Sequence, residues 1–175
     1  MLAVTQACLP LLRVARGRIV NMGSIAGKSV TPYVVPYCMS KHAVEALSDG
    51  LRLELASAGI EVSVIEPGAV RTPIWEKGKT SLADAARSLP AVALERYGDK
   101  LTFFGKVLAF NNERGVSPER VADAVVAAQQ STPPRPRYLV GRDAKIRAFS
   151  SRFLPDRTGG ALRLKALGKL ERDLA

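Results

Sequence analysis

Apolar positions along this chain alternate between a helical rhythm and short unbroken runs. Met1 to Arg16 places its apolar residues on one face, as a helix with one buried side requires. Arg18 to Gly23 then runs nearly without polar interruption, the pattern of a strand covered on both faces. Gly27 to Pro36 is punctuated by Pro32 and Pro36 and reads as a loop. From Tyr37 to Ala58, Val44, Leu47, Leu51 and Leu55 recur at spacings of three and four, and Gly59 closes that helix. Glu61 to Glu66 is a second short strand built on Val62, Val64 and Ile65, and Pro67 and Gly68 turn the chain at its end. Strand, helix, strand is the order of a parallel crossover unit.

The pattern then changes. Pro73 to Arg114 mixes Trp75, Leu82, Leu89, Leu94, Tyr97, Leu101, Phe103, Phe104 and Phe110 among charges and predicts two or three short helices. Ser117 and Pro118 suit the cap and first position of a further helix running to about Gln130. Thr132 to Pro136 is a stiff proline linker, and Arg137 to Val140 reads as a last strand. Two amphipathic stretches follow, Asp143 to Leu154 and Ala161 to Leu174, set apart by Pro155 and by Gly159 and Gly160. The expected fold class is α/β: about three parallel strands with flanking helices. The expected division is a catalytic domain over 1–142, with a helical insertion at about 73–114, and a basic helical tail over 143–175.

Composition narrows the class. The chain has 175 residues, 47% of them hydrophobic, enough for one domain with a true core. No apolar run approaches the ~20 residues of a membrane span, and the first residues lack the basic region of a signal peptide. Cys8 and Cys38 have no Cys-x-x-Cys spacing and read as reduced thiols, so a cytoplasmic location is expected. His42 is the single histidine and has no ligand companions at metal-binding spacing, so no metal is expected. The net charge of +10 is uneven: from Arg135 onward eleven Lys and Arg face four Asp and Glu. Such a tail suits peripheral contact with an anionic membrane. No motif for specific nucleic-acid recognition accompanies it.

The chemistry concentrates in Tyr37 and Lys41, a Tyr-x-x-x-Lys pair, with Ser24 thirteen residues before the tyrosine. Positions four apart share a helix face, so the Lys41 ammonium can stand beside the phenol. A positive charge there favours the ionised oxygen and suits Tyr37 to general acid and base work. Ser24 supplies a second hydroxyl at the end of a strand. In an open parallel sheet, ligands bind beyond the carboxyl ends of the strands, where Ser24, Tyr37 and the turn at Pro67 and Gly68 can converge.

At these residues the chain resembles the short-chain dehydrogenase/reductase family. Ser24, Tyr37 and Lys41 match its Ser…Tyr-x-x-x-Lys signature, and Glu66 to Thr72 is similar to its Pro-Gly-x-x-x-Thr segment. The resemblance implies an oxidoreductase that moves a hydride between NAD or NADP and an alcohol or ketone. Tyr37 would exchange the proton and Ser24 would hold the substrate oxygen. Lys41 would assist Tyr37 and bind cofactor ribose. Tyr37, Lys41, Pro67, Gly68, Val70 and Thr72 would form the cofactor-binding set, and the apolar stretch 73–114 would cover a lipophilic substrate, steroid-, retinoid- or fatty-acyl-like. A homo-oligomer is expected.

The family's Gly-rich first turn, which binds the cofactor pyrophosphate, has no counterpart in these residues, and its catalytic asparagine would fall before Met1. The resemblance therefore implies the C-terminal part of a Rossmann-like doubly wound parallel sheet whose first half is missing, an N-terminally truncated chain expected to be inactive alone. Asn21 lies on the strand and is not that asparagine. The alternative is a non-catalytic product acting through protein association or through its basic tail. NAD against NADP, the substrate and the reaction direction are not legible here.

Overall fold

The structure, a computed structural model, describes residues 1–174. Three strands, β1 (Arg18–Met22), β2 (Glu61–Pro67) and β3 (Arg137–Val140), form one sheet in that order. Both pairings are parallel. Ile19 stands opposite Val62 and Met22 opposite Ile65, while Val64 stands opposite Arg137 and Pro67 opposite Val140. The α/β class is as the periodicity predicts. β2 is the central strand, so both its faces are covered and every residue from Val62 to Pro67 is buried. That is why its polar members, Ser63 and Glu66, need internal partners. Ser63 Oγ donates to the Arg135 carbonyl at 2.8 Å; Glu66 is taken up below.

Helix α1 (Leu2–Ala15) ends on Arg16, which adopts the left-handed conformation of a helix C-cap. Helix α2 (Val35–Glu54) begins two residues earlier than expected. Pro36 therefore lies inside its first turn, where a missing N–H costs nothing. A short 3-10 turn over Ala56–Ala58 follows, and Gly59 takes φ 68°. Leu51 and Leu55 pack with Ile19, Ile60 and Val62, and Leu9, Leu12 and Leu47 lie against that cluster. This core fastens α1 and α2 to the sheet. A buried polar bond adds direction: Asn21 Nδ2 donates to Ser48 Oγ at 2.8 Å.

Residues 73–114 form two helices, α3 (Ile74–Ser88) and α4 (Ala91–Arg114). The second is 24 residues long, well beyond the short helices the mixed pattern implied, because Gly98 and Gly105 are tolerated in its interior. Helix α5 (Pro118–Gln130) starts at Pro118 as expected. Helices α6 (Arg142–Phe153) and α7 (Asp156–Asp173) follow β3. The glycine pair does not separate elements: Gly159 and Gly160 lie within the first turns of α7, and the break falls at Pro155 alone. Among the described residues no helix is long and apolar enough to cross a membrane.

The chain divides into two compact units. One comprises Met1–Gly68 with Glu119–Ala148, and holds the sheet. The other comprises Ala69–Pro118 with the chain from Phe149 onward. In the second, a single parallel bridge joins Val70 to Val116.

Candidate active site at the carboxyl ends of the strands

Ser24 follows β1 directly and caps a 3-10 turn over Ile25–Gly27. Its Oγ accepts the Ala26 N–H at 3.1 Å. It points its own proton toward the Pro67 carbonyl at 3.5 Å, longer than a firm O–H···O bond. The hydroxyl is thus positioned by the backbone while its proton stays weakly committed. Pro67 and Ser24 meet because β1 and β2 are paired in register up to Met22 and Ile65, with the Gly23 N–H donating to the Ile65 carbonyl at 2.9 Å.

Two glycines make the close approach possible. A Cβ on Gly23 would stand 2.7 Å from Val64 Cγ1, and one on Gly27 would stand 2.7 Å from the Lys41 carbonyl oxygen. The serine turn therefore rests directly on the backbone of α2, one turn after Tyr37. Tyr37 is in the first turn of that helix and is 48% exposed, so its hydroxyl is open to a ligand. Lys41 Nζ lies 5.7 Å from the Tyr37 ring centroid and donates to the Met22 carbonyl at 3.1 Å. Burial lowers the Lys41 pKa from its ordinary value. One of its three N–H groups is spent on Met22, which aims the ammonium and leaves two donors for a ligand.

Ser24, Tyr37, Lys41, Pro67 and Gly68 all belong to the sheet-bearing unit. Val70 and Thr72 belong to the other. Gly68 has an internal reason to be glycine: the Asp143 carboxylate fills the space a Cβ would take. In its own unit, Trp75 Nε1 donates to the Val70 carbonyl at 2.6 Å, which makes this tryptophan a packing anchor. His42 Nδ1 is 2.8 Å from the Cys38 carbonyl oxygen, the contact of a helix-surface histidine. Among the described residues no cluster could hold a metal ion.

The sequence reading did not single out the charges beneath the serine turn. Glu45, one turn after Lys41 on α2, is buried beside Gly23 and Gly27. Glu66 is fully buried at the end of β2. Lys28 and Arg137 reach both carboxylates. One signal was available: Glu66 ends the apolar run Val62 to Ile65 of a central strand, where a charge needs a partner.

A model of the family described as short chain dehydrogenase matches residues 1–82. The chain is 37% identical over 161 residues to human 17-beta-hydroxysteroid dehydrogenase type 6, covering 89% of this chain and 50% of that protein. To human retinol dehydrogenase 16 it is 38% identical over 157 residues, covering 87% and 49%. It spans about half the length of these curated relatives. Two solved structures share its fold. A short-chain dehydrogenase from Streptomyces avermitilis superimposes with TM-score 0.62 at 23% identity, over 96% of this chain and 56% of that one. One from Burkholderia cenocepacia, in complex with NADP, gives 0.63 at 20% identity, over 94% and 54%. The fold is that of a Rossmann-like scaffold, of which this chain spans about half. The chain belongs to the short-chain dehydrogenase/reductase family.

Proposed function

We propose that this chain carries the proton-transfer end of an NAD(P)-dependent dehydrogenase acting on a lipophilic alcohol or ketone. The observation that carries the reading is the Lys41 ammonium, tethered to the end of β1 by the Met22 carbonyl and held 5.7 Å from the Tyr37 ring. In this reading the Tyr37 hydroxyl exchanges a proton with the substrate oxygen. Lys41 favours the negative charge left on the phenolic oxygen, and Ser24 turns its weakly held proton toward the substrate oxygen as charge develops there.

The donor set fits the nicotinamide-ribose end of a dinucleotide. Lys41 retains two N–H donors and Tyr37 an exposed hydroxyl, both suited to vicinal ribose hydroxyls. Pro67 and Gly68 supply backbone at the same strand end. When bound, the cofactor supplies or accepts the hydride. One structural neighbour is in complex with NADP; for this chain NAD and NADP are equally open. A lipophilic substrate is supported by the names of the relatives, which act on a hydroxysteroid and a retinol.

The test is Tyr37→Phe, assayed with steroid and retinoid alcohols and ketones and both nicotinamide cofactors. The ring and its packing stay and only the acidic proton goes. Turnover should fall about 10³-fold while cofactor still binds by fluorescence titration. Near-normal turnover would remove Tyr37 from the chemistry.

A further inference from the structure

Four charged side chains from four different segments meet beneath the serine turn. Glu66 comes from β2, Glu45 from α2, Arg137 from β3 and Lys28 from the loop after the 3-10 turn. Lys28 Nζ is 3.1 Å from Glu45 Oε2 and 3.8 Å from Glu66 Oε1. Arg137 Nε is 3.2 Å from Glu45 Oε2 and 3.1 Å from Glu66 Oε1. The other Arg137 nitrogen donates to both Asp49 oxygens at 2.7 Å, and Arg52 holds Asp49 from the same helix at 2.6 Å. Lys41 stands one turn before Glu45. From α6, Asp143 lies against Gly68 and Arg147 donates to the Ser29 carbonyl at 2.6 Å.

The cations do not satisfy the acids. Glu45 Oε1 and both Glu66 oxygens are buried without any hydrogen-bond donor. Arg137 Nε is near Glu66 in charge but outside hydrogen-bonding geometry. The same two cations clamp both carboxyl groups, which brings the two acids side by side. Two carboxylates present only acceptors, so they can bond only when one carries a proton. Leaving both ionised would keep three oxygens desolvated and unpaired and two like charges in contact, in a region of low polarisability.

We infer that Glu45 and Glu66 hold one proton between them, and that this carboxyl–carboxylate pair, clamped by Lys28 and Arg137, is the positioning element that sets Ser24 against the Tyr37 and Lys41 helix. The geometry couples them directly. Glu45 Cγ lies 3.0 Å from where a Gly27 Cβ would be, Glu45 Oε1 3.3 Å from where a Gly23 Cβ would be, and Glu66 immediately precedes the Pro67 carbonyl that Ser24 faces. Burial, then the Glu45 charge, pushes the Glu66 carboxyl up to about 7, against the pull of Lys28 and Arg137. An unfolded glutamate titrates near 4.5. Between those values the folded state binds the extra proton, so stability falls as pH rises through that window and levels off above it.

The catalytic consequence rests on the dehydrogenase reading; the proton does not. In the full-length protein labelled with carbon-13 in the glutamate side chains, one carboxyl should titrate near neutrality, and Glu66→Gln should abolish that transition. E66Q should also flatten the fall in urea midpoint between pH 5 and 8, because its amide can donate to Glu45 at every pH. Glu66→Ala should weaken exchange protection of the Ala26 amide, which Ser24 holds, and lower kcat about tenfold with little change in cofactor affinity; E66Q should restore most of both. Should E66A not fold, Glu45→Gln carries the same exchange and kinetic readouts. Glutamates that all titrate in the ordinary range, or E66Q with the wild-type pH dependence, would overturn the shared proton. Unaltered Ala26 protection and kcat in E66A would overturn the positioning role. Wild-type protein with no dehydrogenase activity on any substrate would instead defeat the functional reading and leave the titration and exchange results to stand.

Discussion

Ser24 does two jobs with one hydroxyl. Its oxygen caps the turn by accepting the Ala26 N–H, and its proton rests on a long contact to the Pro67 carbonyl. Ser24→Ala should therefore show two separable losses. The missing cap should lower stability by about 1 kcal/mol in a urea titration. The missing donor should lower kcat by about 10² or more while the cofactor affinity holds. Gly27 is a sharper case. An added methyl would meet the Lys41 carbonyl at 2.7 Å and Glu45 Cγ at 3.0 Å, and the first is backbone that cannot swing aside. Gly27→Ala should destabilise the chain by about 1–3 kcal/mol and separate the serine turn from α2. Its circular-dichroism melting point should drop and its turnover should fall together, whereas Gly50→Ala, with open space around it, should leave the fold unchanged.

At the scale of elements, β1 is held at both ends by side-chain-to-backbone bonds that periodicity does not forecast. At its start, Arg18 Nη1 donates to the carbonyls of Ala128, Gln129 and Ser131 at 3.1, 2.6 and 2.6 Å. The first two are among the last carbonyls of α5, which have no partner inside their own helix, and the third directly follows it. At its end, Lys41 takes the Met22 carbonyl. Arg18→Met keeps the aliphatic stem and removes the cap. It should cost about 1–3 kcal/mol in urea unfolding, as expected for bonds from a charged donor, and speed amide exchange in the last turn of α5. The helices of residues 73–114 show the limit of pattern reading. Their interior glycines look like breaks in a sequence, yet nothing lies within 4 Å of where a Cβ on Gly98 would stand, and one on Gly105 would meet only Leu82 at ordinary contact distance. The helix continues through both because each weakens it by only about 1 kcal/mol.

At the scale of the molecule, the sheet is open at β1. Among the described residues this strand pairs only with β2, while Leu11 and Val14 of α1 and Leu53 of α2 are more than 70% exposed. An unpaired strand edge and exposed apolar helix faces favour association between chains. A second copy of this chain is the partner we expect, and sedimentation should show species heavier than the 18.8 kDa monomer. These 175 residues contain no Gly-rich turn to take a pyrophosphate at a helix N-terminus. They should bind NADH and NADPH only weakly, well above the micromolar range, in the same fluorescence titration. Micromolar binding by a monodisperse 175-residue sample would show that the strand-end residues suffice.

The sequence alone was enough for the strands and for the start of α5 at Pro118, because each depends on local spacing. Ser24, Tyr37 and Lys41 are close in the chain, and a helix turn places the last two on one face. What needed tertiary structure was everything set by meetings between distant segments. No spacing rule brings Arg137 to Glu45 across 92 residues, or Arg18 to α5 across more than a hundred. Nor does any rule reveal that Glu66, one polar letter at the end of an apolar strand, would be buried among Glu45, Lys28 and Arg137 with neither of its oxygens hydrogen-bonded. Local pattern determines which side chains can react. Only the packed sheet decides which buried charges hold them in place, because desolvation and pairing are properties of the folded surroundings and not of the residue.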